Sequence, residues 1–305
     1  EGQDRFFPGG RGGSAPVAQR CGHAGRVTTV RICIKGKKCM YDRYNRNIHY
    51  LRISVTDRCN LRCKYCMTEK GMKLLKHEDI LSYEEIASFT KIAAGNGIDK
   101  VRITGGEPLT RKNIVYLIQL LAKIDGIKDL SLTTNGILLT EFAEPMKDAG
   151  LQRVNVSLDT VDPDRYREIT RGGDFHRVMQ GIDSAEMAGL LPIKINCVVN
   201  KSSDEPDALG VKAFCSSRKF NVRFIHQMNL ETGEYAPVEG GTGGNCKLCN
   251  KLRLSSDGNL RPCLFDDLSF NVRKLGAEKA IQMAMEAKPE CGTKSVQNRF
   301  NVIGG

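Results

Sequence analysis

The sequence predicts an α/β protein: a partial (β/α)6 TIM-like barrel, open on one side, followed by a small C-terminal region. Three observations predict it. From residue 50 onward, short runs rich in apolar and β-branched residues alternate with longer stretches of helical periodicity, the sign of βα units around a parallel sheet. The 305 residues suffice for one barrel of TIM size or for two domains. A Gly-rich stretch, 229–245 (NLETGEYAPVEGGTGGN), then divides the alternating part from a region with its own cysteine group and a hairpin signature.

Taken in order, residues 1–39, with PGGRGGSAP near their start, show no apolar periodicity and read as a disordered leader. Met40 begins a stretch, MYDRYNRNIHYLRIS, that already has the character of a folded domain. The leader is Arg-rich and acid-poor but has little Ser and no clear amphipathic helix; a mitochondrial transit peptide and translated sequence ahead of the natural start both remain open. The barrel is expected over 40–228, with strands at Tyr50–Thr56, Lys100–Thr104, Asp129–Thr134, Arg153–Leu158, Pro192–Val199 and Asn221–His226. Helical stretches fall near 83–95, 111–123, 140–149, 174–189 and 204–217. Residues 229–245 read as a linker and 246–305 as the C-terminal region, where KLRLSSDGNLRPC is hairpin-like about Asp257-Gly258 and a helix follows near 274–287. In such a barrel the chemistry belongs to loops at the C-terminal ends of the strands.

Lys and Arg number 46 against 35 Asp and Glu, a formal charge of +11. Six of those charges lie in residues 1–39, where Arg5, Arg11, Arg20, Arg26, Arg31, Lys35, Lys37 and Lys38 face only Glu1 and Asp4. The remaining +5 suits a phosphate-bearing small molecule better than a duplex, and a chain with no Trp and no stacking motif is not read as a nucleic-acid binder. No run of eighteen or more apolar residues occurs, so no membrane-spanning helix is expected and the cytoplasm is the default compartment. Twelve cysteines without a secretory pattern argue for thiolates that hold metal rather than for a disulfide scaffold. Cys59, Cys63 and Cys66 form one tight group and Cys246, Cys249 and Cys263 another; Cys21, Cys33, Cys39, Cys197, Cys215 and Cys291 are scattered and read as buried hydrophobes or incidental.

The first group, C-x3-C-x2-C, follows the first barrel strand directly. Three soft thiolates on a compact loop suit three corners of a [4Fe–4S] cubane and leave the fourth iron open. An open iron can chelate the amino and carboxylate groups of S-adenosylmethionine and inject an electron into its sulfonium. Structural zinc, the alternative, normally takes four protein ligands, and no fourth stands nearby. Gly105-Gly106-Glu107-Pro108 follows the second strand; a Gly-Gly turn there is commonplace alone but supportive one βα unit after the cysteine loop. In the second group, Cys246-x2-Cys249-x13-Cys263, the C-x2-C partner pair of a zinc ribbon is missing, since Leu260 and Asp266 stand three residues either side of Cys263. A second [4Fe–4S] cluster with one open iron is favoured there.

The cysteine loop with Tyr65 before its last Cys resembles those of radical S-adenosylmethionine enzymes. The stretches LRISVTDRCNLRCKYCM, VRITGGEPLTR, LTTNG, NVSLDT, IKINCVV, VRFI, the CxxC group with LRLSSDG and CLF, and the terminal GG resemble, in that order and over residues 41–305, the GTP 3′,8-cyclase family, which opens molybdenum cofactor biosynthesis. The resemblance implies a radical SAM barrel over 40–228, an iron–sulfur and substrate-binding region over 246–305, and GTP bound through the open iron of the second cluster. A deoxyadenosyl radical would remove hydrogen from ribose C3′, and C3′ would bond to guanine C8. It also implies GTP contacts at Arg52, Arg102, Thr133, Lys194, Lys251 and Arg253, each a donor or cation suited to triphosphate or guanine. S-adenosylmethionine contacts are implied at Tyr65, Gly106, Glu107, Ser157 and Met228, and Gly304 and Gly305 as a tail reaching the active site. No residue is assigned as a catalytic acid, base or nucleophile.

Three departures from the family pattern stand out. Lys251 replaces the usual Arg, which could weaken a phosphate contact by ~1.5–3 kcal/mol. Thr68 replaces a common Pro. The span from Met228 to Cys246 is short. A reduced electron donor and a downstream cyclic pyranopterin monophosphate synthase are the implied partners; a homodimer is one option that the sequence does not decide. The rival readings are a radical enzyme with an auxiliary cluster that modifies a peptide, and a non-catalytic nucleotide- or zinc-binding relative.

Overall fold

The computed structural model of the chain describes residues 29–33 and 37–303. β1 (Thr29–Cys33) and β2 (Lys37–Tyr41) form a separate antiparallel hairpin, Thr29 opposite Tyr41. The expectation of disorder over 1–39 therefore does not hold for 29–33 and 37–39; residues 1–28, and Gly304 and Gly305 with the tail assigned to them, lie outside the described residues.

The barrel follows as β3 (Tyr50–Ser54), α1 (Tyr83–Gly95), β4 (Lys100–Thr104), α2 (Ile114–Ala122), β5 (Asp129–Thr134), α3 (Leu139–Asp148), β6 (Arg153–Ser157), α4 (Pro163–Thr170), α5 (Phe175–Met187), β7 (Lys194–Val199), α6 (Pro206–Arg218) and β8 (Asn221–His226). The C-terminal region adds β9 (Lys251–Leu254), β10 (Asn259–Arg261), β11 (Phe270–Asn271), α7 (Val272–Leu275), α8 (Ala277–Glu286) and α9 (Phe300–Ile303). One nine-stranded sheet runs β11-β10-β9-β3-β4-β5-β6-β7-β8. Strands β3 to β8 are parallel neighbours, and the two ends of the sheet are not joined, so the barrel is partial and open as expected.

The C-terminal region is not a separate layer. β9 pairs parallel to β3, with Tyr50 opposite Lys251 and Arg52 opposite Arg253, and so extends the barrel sheet. The expected single helix near 274–287 is two, broken at Gly276 (φ +78°). The 229–245 stretch is packed rather than free: Leu230 is buried, and Phe224 and Glu239 exchange backbone hydrogen bonds.

Period-two alternation sorts the strands into two faces. Leu51, Ile53, Val101, Ile103, Leu130, Leu132, Val154, Val156 and Ile195 are buried within the main hydrophobic core. Each buried Leu, Ile or Val contributes roughly 1.5–3 kcal/mol, so this layer fixes the register of every strand. The alternate positions, Tyr50, Arg52, Lys100, Arg102, Arg153 and Lys194, are polar and share the other face. α1 shows how the helices start where they do. Ser82 Oγ accepts from Glu85 N (3.1 Å) and Glu85 Oε2 accepts from Ser82 N (2.6 Å), a capping box ahead of the buried Ile86, Phe89 and Ala93.

Of the scattered cysteines, Cys197 and Cys215 are buried thiols as expected, whereas Cys39 and Cys291 are disulfide-bonded, a correction to their reading as incidental. Cys21 lies outside the described residues. No helix among the described residues is long and apolar enough to cross a membrane.

Candidate active site

The first cysteine group leaves the C-terminal end of β3 on a loop held from two sides. On one side the chain end of α4 clamps it: Arg62 N and Lys64 N donate to Thr170 O (3.2 Å) and Ile169 O (3.0 Å). Arg171, at φ +55°, sends Nη1 to Arg62 O (2.8 Å) and Met67 O (2.9 Å), flanking the Cys63 to Cys66 turn. On the other side the GGEP segment lies against the loop's start, with Gly106 N donating to Thr56 O and Glu107 N to Arg58 O, both 2.7 Å. The two glycines are required by this approach: a Cβ on Gly106 would meet Arg58 O at 2.3 Å, and one on Gly105 would meet Thr56 O at 2.7 Å.

Glu107 is buried, and its carboxylate accepts from Thr134 Oγ1 (2.8 Å), Leu109 N (3.1 Å) and Asn135 N (2.7 Å). Burial pushes it up to about 7 despite those bonds. The side chain thus ties GGEP to the loop after β5, and Oε2 keeps one lone pair for a further donor. Asn135 continues the chain of contacts, with Nδ2 to Asn60 Oδ1 (2.8 Å) beside Cys59. Tyr65 donates to Asp159 Oδ2 (2.8 Å), whose Oδ1 accepts from Val198 N (2.8 Å). Tyr65 and Asp159 line a cavity of about 280 Å³ with Val198 and Gln227. Ser157 ends β6 one residue before Leu158 and two before Asp159. Asp159, Asn135 and Arg171 were missed from the sequence. Asp159 is the Asp of NVSLDT and Asn135 the Asn of LTTNG, whereas Arg171 lies in no motif noted; the role of each depends on a partner far along the chain.

The thiols of Cys59, Cys63 and Cys66 are free and half-buried. Burial pushes them up to about 11, 12 and 11; for Cys63, Asp159 and then the other two thiols add to the shift. Metal must therefore displace their protons. The second group sits in the opposite field. Cys249 is pushed up by burial, but Lys288, Lys251 and Arg46 outweigh that and bring it down to about 7; Cys263 stays raised by burial. Tyr235 OH lies 3.2 Å from Cys246 Sγ, and its ring stacks on Phe265 at 4.4 Å. Among the described residues no three His, Cys, Asp or Glu side chains close on a single metal ion. A cubane spaces its ligands by its own sulfides, and two sets of three free, half-buried thiols fit that donor requirement.

Cys246, Cys249 and Cys263 line a second cavity of about 240 Å³, into which the polar face of the sheet opens. Arg52, Arg102, Lys251 and Arg253, expected as GTP contacts, line it together with Met228, expected as an S-adenosylmethionine contact. Lys100, Arg223 and Asn196 also line it and were missed; for Lys100 the signal was spacing, two residues before Arg102, whereas Arg223 and Asn196 are placed by their pairing in register. Lys194 and Thr133 occupy the same strand face, Thr133 accepting from Asn155 Nδ2 at 3.4 Å. Burial, then Arg253, brings Arg52 down to about 10; burial brings Arg102 to about 10, and burial with Arg223 and Arg153 brings Lys194 to about 8. Lys100, Arg102 and Lys251 stand 5.2, 5.5 and 5.7 Å from the Tyr50 ring centre. A buried group of cations at this density calls for a polyanion. Gln227 lines the cavity beside Tyr65, and the next residue, Met228, lines this one.

Residues 53–208 match the model of the radical SAM superfamily. The chain is 42% identical over 279 residues to the GTP 3′,8-cyclase of Moorella thermoacetica, covering 77% of this chain and 86% of that one. It is 39% identical over 299 residues to the GTP 3′,8-cyclase of Alkaliphilus metalliredigens, covering 82% and 93%. Among solved structures it is similar in fold to Streptococcus suis SuiB bound to the precursor peptide SuiA, with a TM-score of 0.59 at 18% identity over 81% of this chain and 67% of that one. A second is anSMEcpe with bound AdoMet and Cp18Cys peptide, with a TM-score of 0.54 at 18% identity over 79% and 80%. At those identities the likeness is one of fold, whereas the cyclase relatives match at 39% and 42% identity over about four fifths of this chain, and on that ground the chain belongs to the GTP 3′,8-cyclase family of radical SAM enzymes.

Proposed function

We propose that this chain converts GTP to (8S)-3′,8-cyclo-7,8-dihydroguanosine 5′-triphosphate, the first step of molybdenum cofactor biosynthesis. The observation that carries the reading is the cavity in which buried arginines and lysines face three cysteines. When bound, a [4Fe–4S] cluster and S-adenosylmethionine supply a deoxyadenosyl radical that takes hydrogen from an unactivated carbon.

The chain's own residues then have separable tasks. Cys59, Cys63 and Cys66 hold the first cluster, and Cys246, Cys249 and Cys263 a second. Arg52, Arg102, Lys194, Lys251 and Arg253 bind and orient GTP, the guanidinium forks by paired hydrogen bonds to phosphate oxygens and the ammonium groups as point charges. Thr133 adds a hydroxyl from β5. Tyr65, Gly106, Glu107, Ser157 and Met228 hold S-adenosylmethionine, Gly106 through backbone already aligned against Arg58 and Glu107 through its remaining lone pair. Burial of the cations excludes water, so each charge acts at a lower effective dielectric than in solution. Lys251 in place of Arg keeps the charge and loses the fork. Gly304 and Gly305 complete the reading as an active-site tail. A reduced electron donor and a synthase that consumes the cyclised nucleotide are the partners this reaction needs.

The test is an anaerobic assay of reconstituted protein with dithionite, S-adenosylmethionine and GTP, followed by mass spectrometry. Deoxyadenosine and cyclised nucleotide that both depend on GTP support the reading; deoxyadenosine formed equally with a peptide and without any GTP product would oppose it.

A further inference from the structure

Lys288 lies two residues beyond α8 and is 1% exposed, the bulkiest of the fully buried side chains. Its Nζ donates to Lys251 O (2.8 Å) and to Pro262 O (2.6 Å). Lys251 is two residues past Cys249, and Pro262 immediately precedes Cys263, so one ammonium joins the two arms of chain that carry these cysteines. It forms no ion pair with a described carboxylate, and one of its three N–H donors is left over.

The neighbouring clamp, Arg46, makes the contrast. Arg46 donates to Cys246 O (2.8 Å), Glu290 O (2.7 Å) and Pro289 O (2.6 Å), but its charge is matched by Asp42 at 2.6 Å. Lys288 performs the same kind of backbone stapling with its charge unmatched, in a place where a lone buried cation is costly. A [4Fe–4S]²⁺ core with three thiolates is net negative and becomes more so on reduction, which is the complement that this cation lacks.

We propose that Lys288 is a positioning residue for the second cluster, joining the Cys249 and Cys263 arms and supplying the buried positive charge against which the cluster is held and its potential set. The proposal rests on reading Cys246, Cys249 and Cys263 as ligands of that cluster. It predicts that loss of the charge disfavours the added electron and lowers the midpoint potential, whereas loss of a neutral staple alone leaves the potential unchanged.

The experiment uses the full chain with Cys59, Cys63 and Cys66 replaced by Ser, so that only the second site loads. Iron and sulfide per chain, resistance to a chelator and the midpoint potential followed by electron paramagnetic resonance are compared for the parent, K288M, K288Q and K288R, with circular dichroism reporting folding. K288M is expected to hold the cluster about tenfold less tightly, with a lower potential in whatever cluster remains, and K288R to recover both. K288Q can still donate to the carbonyls without the charge, so it carries the expectation for the potential if K288M does not fold. Parent-like retention and potential in K288M, or an unshifted potential in K288Q, overturns the proposal. A parent that binds no iron–sulfur cluster overturns the two-cluster reading and the proposal with it.

Discussion

Arg102 shows what a single residue contributes here. It is buried, its guanidinium stands over the Tyr50 ring, and its Nε donates to Ser131 Oγ at 3.4 Å, contacts that orient the side chain without neutralising it. Arg102→Met keeps the volume and removes the fork; loss of a charged hydrogen bond of ~1.5–3 kcal/mol weakens GTP binding by roughly 10–150-fold. Calorimetry with GTP checks this, and an unchanged affinity would remove Arg102 from the substrate site. Lys194 gives a pH dependence. Its ammonium is lowered to about 8, so on the proposed reading it is charged and available to phosphate below that pH, and as pH rises through 8 binding requires proton uptake. GTP affinity should fall above pH 8 in the wild-type chain, and the fall should be shallower in Lys194→Met. Arg52, Arg102 and Lys251 were legible in the sequence because they stand in motif stretches at strand positions. Lys100 stands just outside its motif stretch, and Arg223 stands inside VRFI but went unassigned, because a cation on a strand reads equally as solvated until the register shows which face it shares.

At the scale of elements, the first cysteine loop depends on α4. That helix went unread: it is short and mostly polar, burying only Tyr166 and Thr170, although Asp162 capping Arg165 N and Pro163 at its first turn mark its start. Its C-terminal Arg171 bonds two carbonyls of the cysteine loop. Arg171→Ala removes both bonds, and the expected result is about tenfold poorer iron retention at the first triad with the second unaffected, measured in a chain whose second triad is replaced by Ser. Equal retention would mean the loop is held by the GGEP side alone. The six barrel strands were legible because their apolar and polar residues alternate with period two. The pairing of β9 with β3 was not, because strands so distant in sequence meet only through tertiary packing. Gly276, which divides α7 from α8, was readable in principle: a glycine inside a helical pattern is a breaker, and here its φ is positive.

Over the whole molecule, the two cysteine groups stand in different surroundings: Cys246, Cys249 and Cys263 line the cation-lined cavity, whereas Tyr65 of the first loop lines the other. The field differs across them. The first triad lies beside Glu107 and Asp159 and its thiols are raised; the second lies among Lys288, Lys251 and Arg46, and Cys249 is lowered. The short 229–245 stretch, read as a linker, is folded against the C-terminal region, where a Cβ on Gly233 would meet Thr293 O at 1.8 Å. Cysteine spacing made both triads readable and Lys251 stood beside the second, but Lys288 and Arg46 behind it are residues that no motif marks. On the proposed reading both triads hold clusters that serve one reaction, so Cys63→Ala and Cys249→Ala should each abolish the cyclised nucleotide. Only the first should also abolish reductive cleavage of S-adenosylmethionine, a split that assays of deoxyadenosine and nucleotide product will check.

The central claim is that hydrogen leaves ribose C3′ of GTP to a radical generated at the first triad. Turnover of GTP deuterated at C3′, with mass spectrometry of the 5′-deoxyadenosine, tests it most directly. The account predicts one deuterium in the deoxyadenosine and its loss from the cyclised nucleotide; deoxyadenosine without label, alongside GTP consumed or intact, would contradict it.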